Sequence, residues 1–240
     1  MAQVLGPELP FGRRSIQRTR PTTVAGLCYL AVIAGGLFAE GMVRQALVVP
    51  GDAAATARAI VENEMLWRLG LAVHLLYLVP ALAVNVIVSG LFRSFEPTLA
   101  RLALVFGVAA VTVEAVALVY LSVPLAFREH GAALAALEDA PALIYLATRL
   151  FATGFGFSLL LFGGFCLLIG ALILRWPLVP RVIGAMMMLA GICYVVNTLA
   201  LIVSPGFFER INPAILLPIV LAELSLALWL LVKGIAVEAK

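Results

Sequence analysis

The stretch "PALIYLATRLFATGFGFSLLLFGGFCLLIGALIL" (residues 141–174) decides the class of fold, because its only charged residue is Arg149. About 20 predominantly apolar residues are enough for a helix to cross a bilayer, and this run is longer. Its apolar residues are continuous rather than alternating, which predicts a membrane helix and not a strand of a β-barrel. The whole chain follows the same pattern, since 64% of its 240 residues are hydrophobic and 12% are charged.

Six apolar stretches predict six membrane-spanning helices, at residues 22–44, 67–91, 98–124, 141–174, 180–203 and 213–235. We therefore expect an all-α integral membrane protein, a six-helix transmembrane bundle. Residues 22–235 form its single membrane domain, between a basic cytoplasmic tail (1–21) and a short cytoplasmic tail (236–240). The first apolar stretch is too long for the core of a signal peptide, so we expect it to stay as an anchor.

The distribution of Lys and Arg predicts that both termini are cytoplasmic, because cytoplasmic loops carry an excess of basic residues. Ten of the 16 basic residues fall on the side of the termini: Arg13, Arg14, Arg18, Arg20, Arg93, Arg101, Arg175, Arg181, Lys233 and Lys240. The formal net charge of +3 reflects this bias and does not indicate a nucleic-acid partner.

The segment at residues 48–66 predicts a short extracytoplasmic helix between spans one and two. Pro50 and Gly51 indicate a turn, Asp52 is a good N-cap, and residues 53–65 are mostly helix formers without Gly or Pro. Asp139 is placed to cap the helix of span four in the same way. Pro80 and Pro218 lie within spans and predict kinks.

Span four carries a stripe of residues spaced seven apart: Arg149, Gly156, Gly163 and Gly170. A seven-residue spacing keeps side chains nearly aligned along a helix, and glycines let another helix approach closely. Span three has a weaker stripe that includes Gly107 and Glu114. We therefore expect Arg149 and Glu114 to lie on packing faces and to point away from lipid.

Polar residues within the spans are candidates for function, because a charge near the bilayer centre costs about 2.5–3.5 kcal/mol. At about 1.5 Å of rise per residue, Glu223 lies roughly 15 Å and Glu114 roughly 20 Å from the inner ends of their spans. The polar residues gather at the midplane or outward, except Asn85, and this predicts a charge-balanced pocket that opens to the outer side. The candidate pocket residues are Glu40, Arg44, Arg68, His74, Glu114, Arg149, Asn197 and Glu223.

Structural explanations remain open for most of these candidates. Glu40 and Arg44 are four residues apart and are compatible with a plain intrahelical pair at the membrane interface. Span four can project outward and leave Arg149 among the headgroups, and His74 can be a polar residue satisfied near the interface. Glu114 and Glu223 are the deepest, and even they can serve structure by bonding to neighbouring polar groups.

No cofactor, metal site or catalytic residue is indicated. Cys28, Cys166 and Cys193 fall inside spans without a CxxC pattern, which argues against a disulfide framework or a zinc site. A haem held by two histidines would need His130, which falls in an outer loop. Zinc-protease, hydrolase and phosphate-loop motifs do not occur in the sequence.

Several segments resemble a bacterial multi-spanning membrane family known as domain of unknown function 4386. They are GLFAE-x-x-VR (36–44), VPGDAAATA (49–57), N-E-x-L-x-R-x-G (63–70), LFGGFCLLIG (161–170), LVPRVIGAMMMLAG-x-x-Y (178–194) and AELSLALWLLVKG (222–234). The resemblance implies a polytopic protein of the bacterial cytoplasmic membrane and implies no chemistry. The positions that match its motifs are Glu40, Arg44, Asp52, Asn63, Arg68, Arg149, Pro180, Arg181, Gly184 and Glu223, whereas Ala222 replaces an expected glycine.

Three functional hypotheses follow from the sequence. The pocket binds or transports a small ligand, a proton or a lipid headgroup, or the chain is a structural or accessory subunit of a larger membrane complex. An enzyme acting on a lipid of the outer leaflet ranks third, since neither a nucleophile nor a metal cluster is evident. Membrane lipid is the expected partner, together with a membrane protein or a second copy of the chain.

Overall fold

The described part of the chain is a bundle of helices with one small strand pair. The computed structural model describes residues 14–17, 19–130 and 139–238. Its helices are α1 (Arg20–Leu47), α2 (Ala53–Glu62), α3 (Glu64–Leu91), α4 (Pro97–Glu129), α5 (Ala140–Arg175), α6 (Arg181–Val203), α7 (Pro205–Ile211) and α8 (Leu216–Val232). The strands are β1 (Arg14–Gln17) and β2 (Ile235–Glu238).

Five of these helices, α1, α3, α4, α5 and α6, are long and apolar enough to cross a membrane. Helices α7 and α8 meet at an angle of 57° across a short break, and counting the pair as one span gives a sixth. Many large apolar side chains are exposed on the outside of the bundle, among them Leu76 and Val182, as lipid contact requires. The prediction of an all-α membrane bundle is confirmed.

The sixth predicted span, residues 213–235, corresponds to α8, which begins three residues later, and the short helix α7 lies in the stretch before it. The helical structure is interrupted between Ile211 and Leu216. Pro218 therefore lies in the first turn of α8 and does not kink its interior. A proline is tolerated there because the first backbone N–H groups of a helix have no intrahelical acceptor. Pro80, in contrast, lies inside α3, which continues as one helix on both sides of it.

The two strands join the ends of the described chain. They pair antiparallel, with Arg14 opposite Glu238 and Gln17 opposite Ile235. This ribbon was not predicted, and it holds the start of α1 and the end of α8 at the same end of the bundle. The pairing brings both ends of the described chain together, which agrees with counting the bent pair as one span.

Helix α1 changes its winding in its second half. Residues Leu37–Arg44 form a π-helix, in which each turn holds an extra residue, and the Gln45 N–H accordingly bonds the Glu40 carbonyl five residues back. Such segments are rare and often lie at functional sites. The sequence analysis predicted an ordinary helix here.

The helix at residues 53–62 begins as predicted, because Asp52 Oδ1 accepts a hydrogen bond of 2.8 Å from the Ala55 N–H. The buried Thr56 hydroxyl donates to the Asp52 carbonyl and accepts from the Val49 N–H, which fixes the preceding turn. Asp139 caps α5 through the Ala142 N–H in the same manner. Helix α3 then starts at Glu64, three residues before the predicted start of span two.

The glycine stripe of α5 packs against a matching stripe on α6. A methyl group added at Gly170 would lie 2.7 Å from the Gly184 carbonyl oxygen, and one added at Gly191 would lie 2.7 Å from the Gly163 carbonyl oxygen. The Thr198 hydroxyl donates to the Gly156 carbonyl at 2.8 Å and continues the series. These contacts explain the seven-residue spacing of the glycines as close helix packing.

Candidate functional site

A cavity of about 200 Å³ lies between the helices, and α1, α3, α4, α5, α6 and α8 all contribute to its wall, which includes the exposed Leu37. It lies where two hydrophobic clusters meet, since Tyr77 and Val111 belong to one cluster and Tyr194 and Ile219 to the other. Most of the wall is apolar. Its polar side chains are Tyr77, Glu114, Ser158, Tyr194 and Glu223.

Glu114 lies on α4 and is 8% exposed. Its Oε1 atom accepts a hydrogen bond from the Tyr77 hydroxyl and lies 2.9 Å from Nε2 of His74. Its other oxygen, Oε2, lies 3.5 Å from the Ser158 hydroxyl of α5. The carboxyl group is therefore held by donors from two neighbouring helices.

His74 is the most deeply buried of the candidates, at 1% exposure. Its ring stacks on Tyr77 with 4.7 Å between centroids, and the edges of Phe151 and Phe155 enclose it. Nδ1 of His74 lies 3.7 Å from Oε1 of Glu40, while Nε2 faces Glu114. The imidazole is thus positioned between two carboxyl groups from two different helices.

Glu40 belongs to the π-helical segment of α1 and is shared between two partners. Its Oε2 accepts a hydrogen bond of 2.5 Å from Nε of Arg44, whose guanidinium lies 5.6 Å from the centre of the Phe151 ring. Glu40 and Arg44 therefore form the intrahelical pair that their spacing allows, and Glu40 in addition faces His74. A small void of about 10 Å³ borders Arg44 and His74, close to the roughly 10–15 Å³ that holds one water molecule.

Glu223 lies on α8, on the other side of the cavity, and is 7% exposed. Its Oε1 accepts a hydrogen bond of 2.6 Å from the Tyr194 hydroxyl of α6. Across residues 14–17, 19–130 and 139–238, no Lys or Arg lies within ion-pair distance of Glu223 or lines the cavity. The cavity is therefore acidic, and the expectation of a charge-balanced pocket is wrong.

Of the predicted residues, Glu114 and Glu223 line the cavity, and Glu40, Arg44 and His74 lie beside it without lining it. The other three lie elsewhere. Arg68 joins a network at the surface with Glu64 and Glu129, to which Arg128 also contributes. Asn197 accepts a hydrogen bond of 2.8 Å from the Asn212 side chain and so holds the break between α7 and α8.

Arg149 is exposed on α5, so the expectation that it lies on a packing face is wrong. Helix α5 has 36 residues, about 54 Å of length at about 1.5 Å per residue. It therefore extends beyond a hydrocarbon core about 30 Å thick, and a position near its first turns needs no buried partner.

The sequence analysis missed the residues that donate hydrogen bonds to the two buried carboxyl groups. Tyr77 and Tyr194 did not stand out because tyrosine is common in apolar spans. One pattern in the sequence does indicate Tyr77, which follows His74 by three residues and therefore lies on the same face of α3. Ser158 had no comparable pattern.

The arrangement suits the binding of a positive charge or a proton. Two carboxyl groups line one cavity with hydroxyl groups beside them, and a histidine connects one of them to a third carboxyl group. Among the described residues no three His, Cys, Asp or Glu side chains come together as metal ligands. The predicted absence of a metal and a cofactor stays a prediction.

The fold and the site define a multi-pass membrane protein, an all-α bundle with an acidic cavity among its spans. A model of the family described as "Domain of unknown function (DUF4386)" matches residues 24–234, and the chain belongs to this family. The resemblance seen in the sequence motifs is thereby confirmed. No curated protein and no solved structure matches the chain.

Proposed function

We propose that the protein binds a small, largely apolar molecule with a cationic group in the cavity between its spans, and transports it. The observation that carries this proposal is that Glu114 and Glu223 line one cavity whose remaining wall is mostly apolar. A buried carboxylate without a positively charged partner is costly, so a cation that enters the cavity gains a large part of its binding free energy there.

The size and wall of the cavity narrow the class of ligand. At about 200 Å³ it is smaller than the roughly 300–1,000 Å³ of sites for drug-sized molecules, so the ligand is small. Side chains such as Phe155 and Phe162 provide apolar and aromatic surface, which favours an aryl or alkyl ammonium ion. An anionic lipid headgroup is disfavoured by the two carboxyl groups.

Binding of benzylammonium to the purified protein in lipid nanodiscs tests the proposal. Calorimetry is expected to detect benzylammonium, and to detect the neutral analogue benzyl alcohol much more weakly. Glu223→Gln keeps the shape of the side chain and removes its charge, so we expect it to weaken benzylammonium binding by about tenfold or more, or about 1.4 kcal/mol.

Glu209→Gln is the matched control, because Glu209 is exposed on α7 and lies outside the cavity wall. We expect it to bind benzylammonium like the wild type. Equal binding of benzyl alcohol and benzylammonium, or unchanged binding by Glu223→Gln, would contradict the proposal. A second protein that co-purifies in stoichiometric amount would favour the hypothesis of an accessory subunit.

We also infer that the protein lies in the bacterial cytoplasmic membrane with both termini in the cytoplasm. The excess of Lys and Arg on the side of the termini supports this orientation. The pairing of β1 with β2 supports it as well, because it needs both ends of the described chain on one side. Glu40 and Arg44 then lie toward the extracytoplasmic end of α1.

A further inference from the structure

We propose that Glu40, His74 and Glu114 form a pathway that carries protons between the Arg44 end of α1 and the cavity. This inference deepens the proposed function, on which it rests for the identity of the competing cation, by naming the proton as a second ligand of the same site. It stands on the geometry of the three side chains, which lie on three different helices.

The three side chains form a series of polar atoms through an apolar region, with one hydrogen-bond contact, between His74 and Glu114, and one slightly longer step, between Glu40 and His74. Oε1 of Glu40 lies 3.7 Å from Nδ1 of His74, and Nε2 of His74 lies 2.9 Å from Oε1 of Glu114. The aromatic rings of Tyr77, Phe151 and Phe155 surround the imidazole. Histidine is the side chain best suited to pass a proton between two such groups, because it has two ring nitrogens that exchange protons near neutral pH.

The series connects the cavity to the edge of the bundle. The Glu40 side chain is 14% exposed, whereas His74 is 1% exposed, and Glu114 lines the cavity. The void that borders His74 and Arg44 has about the size of one water molecule. Glu40 and Glu114 are therefore the two partly exposed ends of the series, with His74 buried between them.

One oxygen of the series is left without a hydrogen bond. Among the described residues, Oε1 of Glu40 is buried and has no hydrogen-bond donor within reach, although Oε2 is held by Arg44. A buried acceptor that bonds nothing is unfavourable when its role is only structural. It is expected in a group that takes up a proton, or a water molecule, during its cycle.

The transfer needs no change in any bond between heavy atoms. Glu40 Oε1 takes a proton from water and passes it to Nδ1 of His74, while Nε2 releases its own proton to Oε1 of Glu114. One proton is taken up at Glu40 and one arrives at Glu114. The ring ends in its other tautomer, and rotation of the ring or a transfer in the opposite direction restores the first.

Among the described residues, the charged or titratable side chains in contact with this series are Arg44 and Tyr77, and Glu223 shares the cavity with Glu114. Arg44 faces Glu40 from the same helix, Tyr77 faces both His74 and Glu114, and α5 presents the Ser158 hydroxyl and the two phenylalanine rings. A proton on Glu114 removes one of the two charges that hold a cation in the cavity. Uptake of a proton and release of the cation are therefore coupled at Glu114.

A pH-jump experiment followed by infrared spectroscopy tests the pathway without any added ligand. The protein in nanodiscs is acidified rapidly, and the carboxylic acid band of Glu114 is identified as the band that Glu114→Gln lacks. We expect His74→Gln to slow the appearance of this band by about tenfold or more, because the relay group is lost. Glu40→Gln is expected to slow it as well.

His130→Gln makes the same chemical change at an exposed position on the described chain and should leave the rate unchanged. If His74→Gln does not fold, Glu40→Gln alone tests the pathway. Glu40 is less buried than His74, so we expect its replacement to leave the fold intact. A rate in Glu40→Gln and His74→Gln equal to that of the wild type overturns the pathway.

Calorimetry with benzylammonium on the same samples separates the two proposals. If the wild type does not bind benzylammonium, while Glu40→Gln slows the protonation of Glu114, the proposed cation is contradicted and the pathway is supported. If the wild type binds benzylammonium, while Glu40→Gln and His74→Gln leave the protonation rate of Glu114 unchanged, the proposed cation is supported and the pathway is contradicted.

Discussion

Glu114 and Glu223 face one cavity with different numbers of hydrogen-bond partners, and this difference suggests different roles. Glu114 has the Tyr77 hydroxyl, His74 and the more distant Ser158 hydroxyl around it, whereas Glu223 has the Tyr194 hydroxyl. An ionised carboxylate offers about four acceptor sites, so Glu223 keeps more of them for a ligand. We therefore assign cation binding mainly to Glu223 and proton exchange to Glu114.

Tyr194→Phe tests how strongly the protein depends on the one hydroxyl group that holds Glu223. The variant keeps the ring and removes the donor, which leaves a buried carboxyl group without its bond. We expect the free energy of unfolding to fall by about 1–3 kcal/mol, measured by thermal unfolding in detergent. Tyr120→Phe is the control, because Tyr120 is exposed; an equal loss in both variants would contradict the structural role of the bond.

At the level of residues, the sequence predicts which charges are buried better than it predicts what they face. Glu40, His74, Glu114 and Glu223 stand out because a charged or polar residue in an apolar span needs a partner. Depth along a helix axis does not give the direction around that axis. For this reason Arg68, Arg149 and Asn197 were grouped with the cavity, although the structure places them elsewhere.

At the level of elements, helices α5 and α6 show how two regular stripes fix a contact. Gly170 faces Gly184, Gly163 faces Gly191, and the Thr198 hydroxyl bonds the Gly156 carbonyl. Both stripes advance by seven residues while the helices run in opposite directions, so every pair meets at a comparable height. The result is a close contact of backbones that holds Tyr194, the partner of Glu223, in place.

Gly191→Ala tests this contact. The added methyl group would lie 2.6 Å from Cγ of Leu167 and 2.7 Å from the Gly163 carbonyl oxygen, and a backbone atom moves only with its helix. We expect a loss of about 1–3 kcal/mol in the free energy of unfolding, measured by thermal unfolding in detergent.

Gly90→Ala is the matched control, since a methyl group there meets nothing within 4 Å. Because alanine is the better helix former by up to about 1 kcal/mol, Gly90→Ala should be neutral or stabilising. Equal stability of the two variants would show that the stripes do not hold the helices together.

The positions of the spans could be predicted because a long apolar run has few alternatives to a membrane helix. The irregular elements could not. The π-helical segment at Leu37–Arg44 and the short helix α7 accompany tertiary contacts, of Glu40 with His74 and of Asn212 with Asn197. Neither contact leaves a mark on local hydropathy.

At the level of the whole molecule, the β ribbon predicts the number of crossings. Ser15→Cys and Ala236→Cys in a cysteine-free background test this. Their positions lie in paired strands and therefore on one side of the membrane. If that side is the cytoplasm, both should react with a membrane-impermeant maleimide only after cells are permeabilised. Glu62→Cys, exposed at the end of α2, should react in intact cells.

Labelling of Ser15→Cys and Ala236→Cys on opposite sides would contradict an even number of crossings. Labelling of both in intact cells would keep the even number and reverse the inferred orientation. The sequence predicts an even number by the count of apolar stretches, and the pairing of two segments far apart in the chain supports it.

The π-helical segment of α1 allows one helix to meet two independent demands. The first half of α1 packs closely on α8, where a methyl group added at Gly26 would lie 2.7 Å from the backbone nitrogen of Leu231, and the second half presents Glu40 to His74. In a regular helix each residue advances the angle by about 100°, so the direction of the second half is dictated by the first. A π-helical turn holds one extra residue and rotates the residues after it around the helix axis. The contact of α1 with α8 and the direction of the Glu40 side chain are therefore set independently.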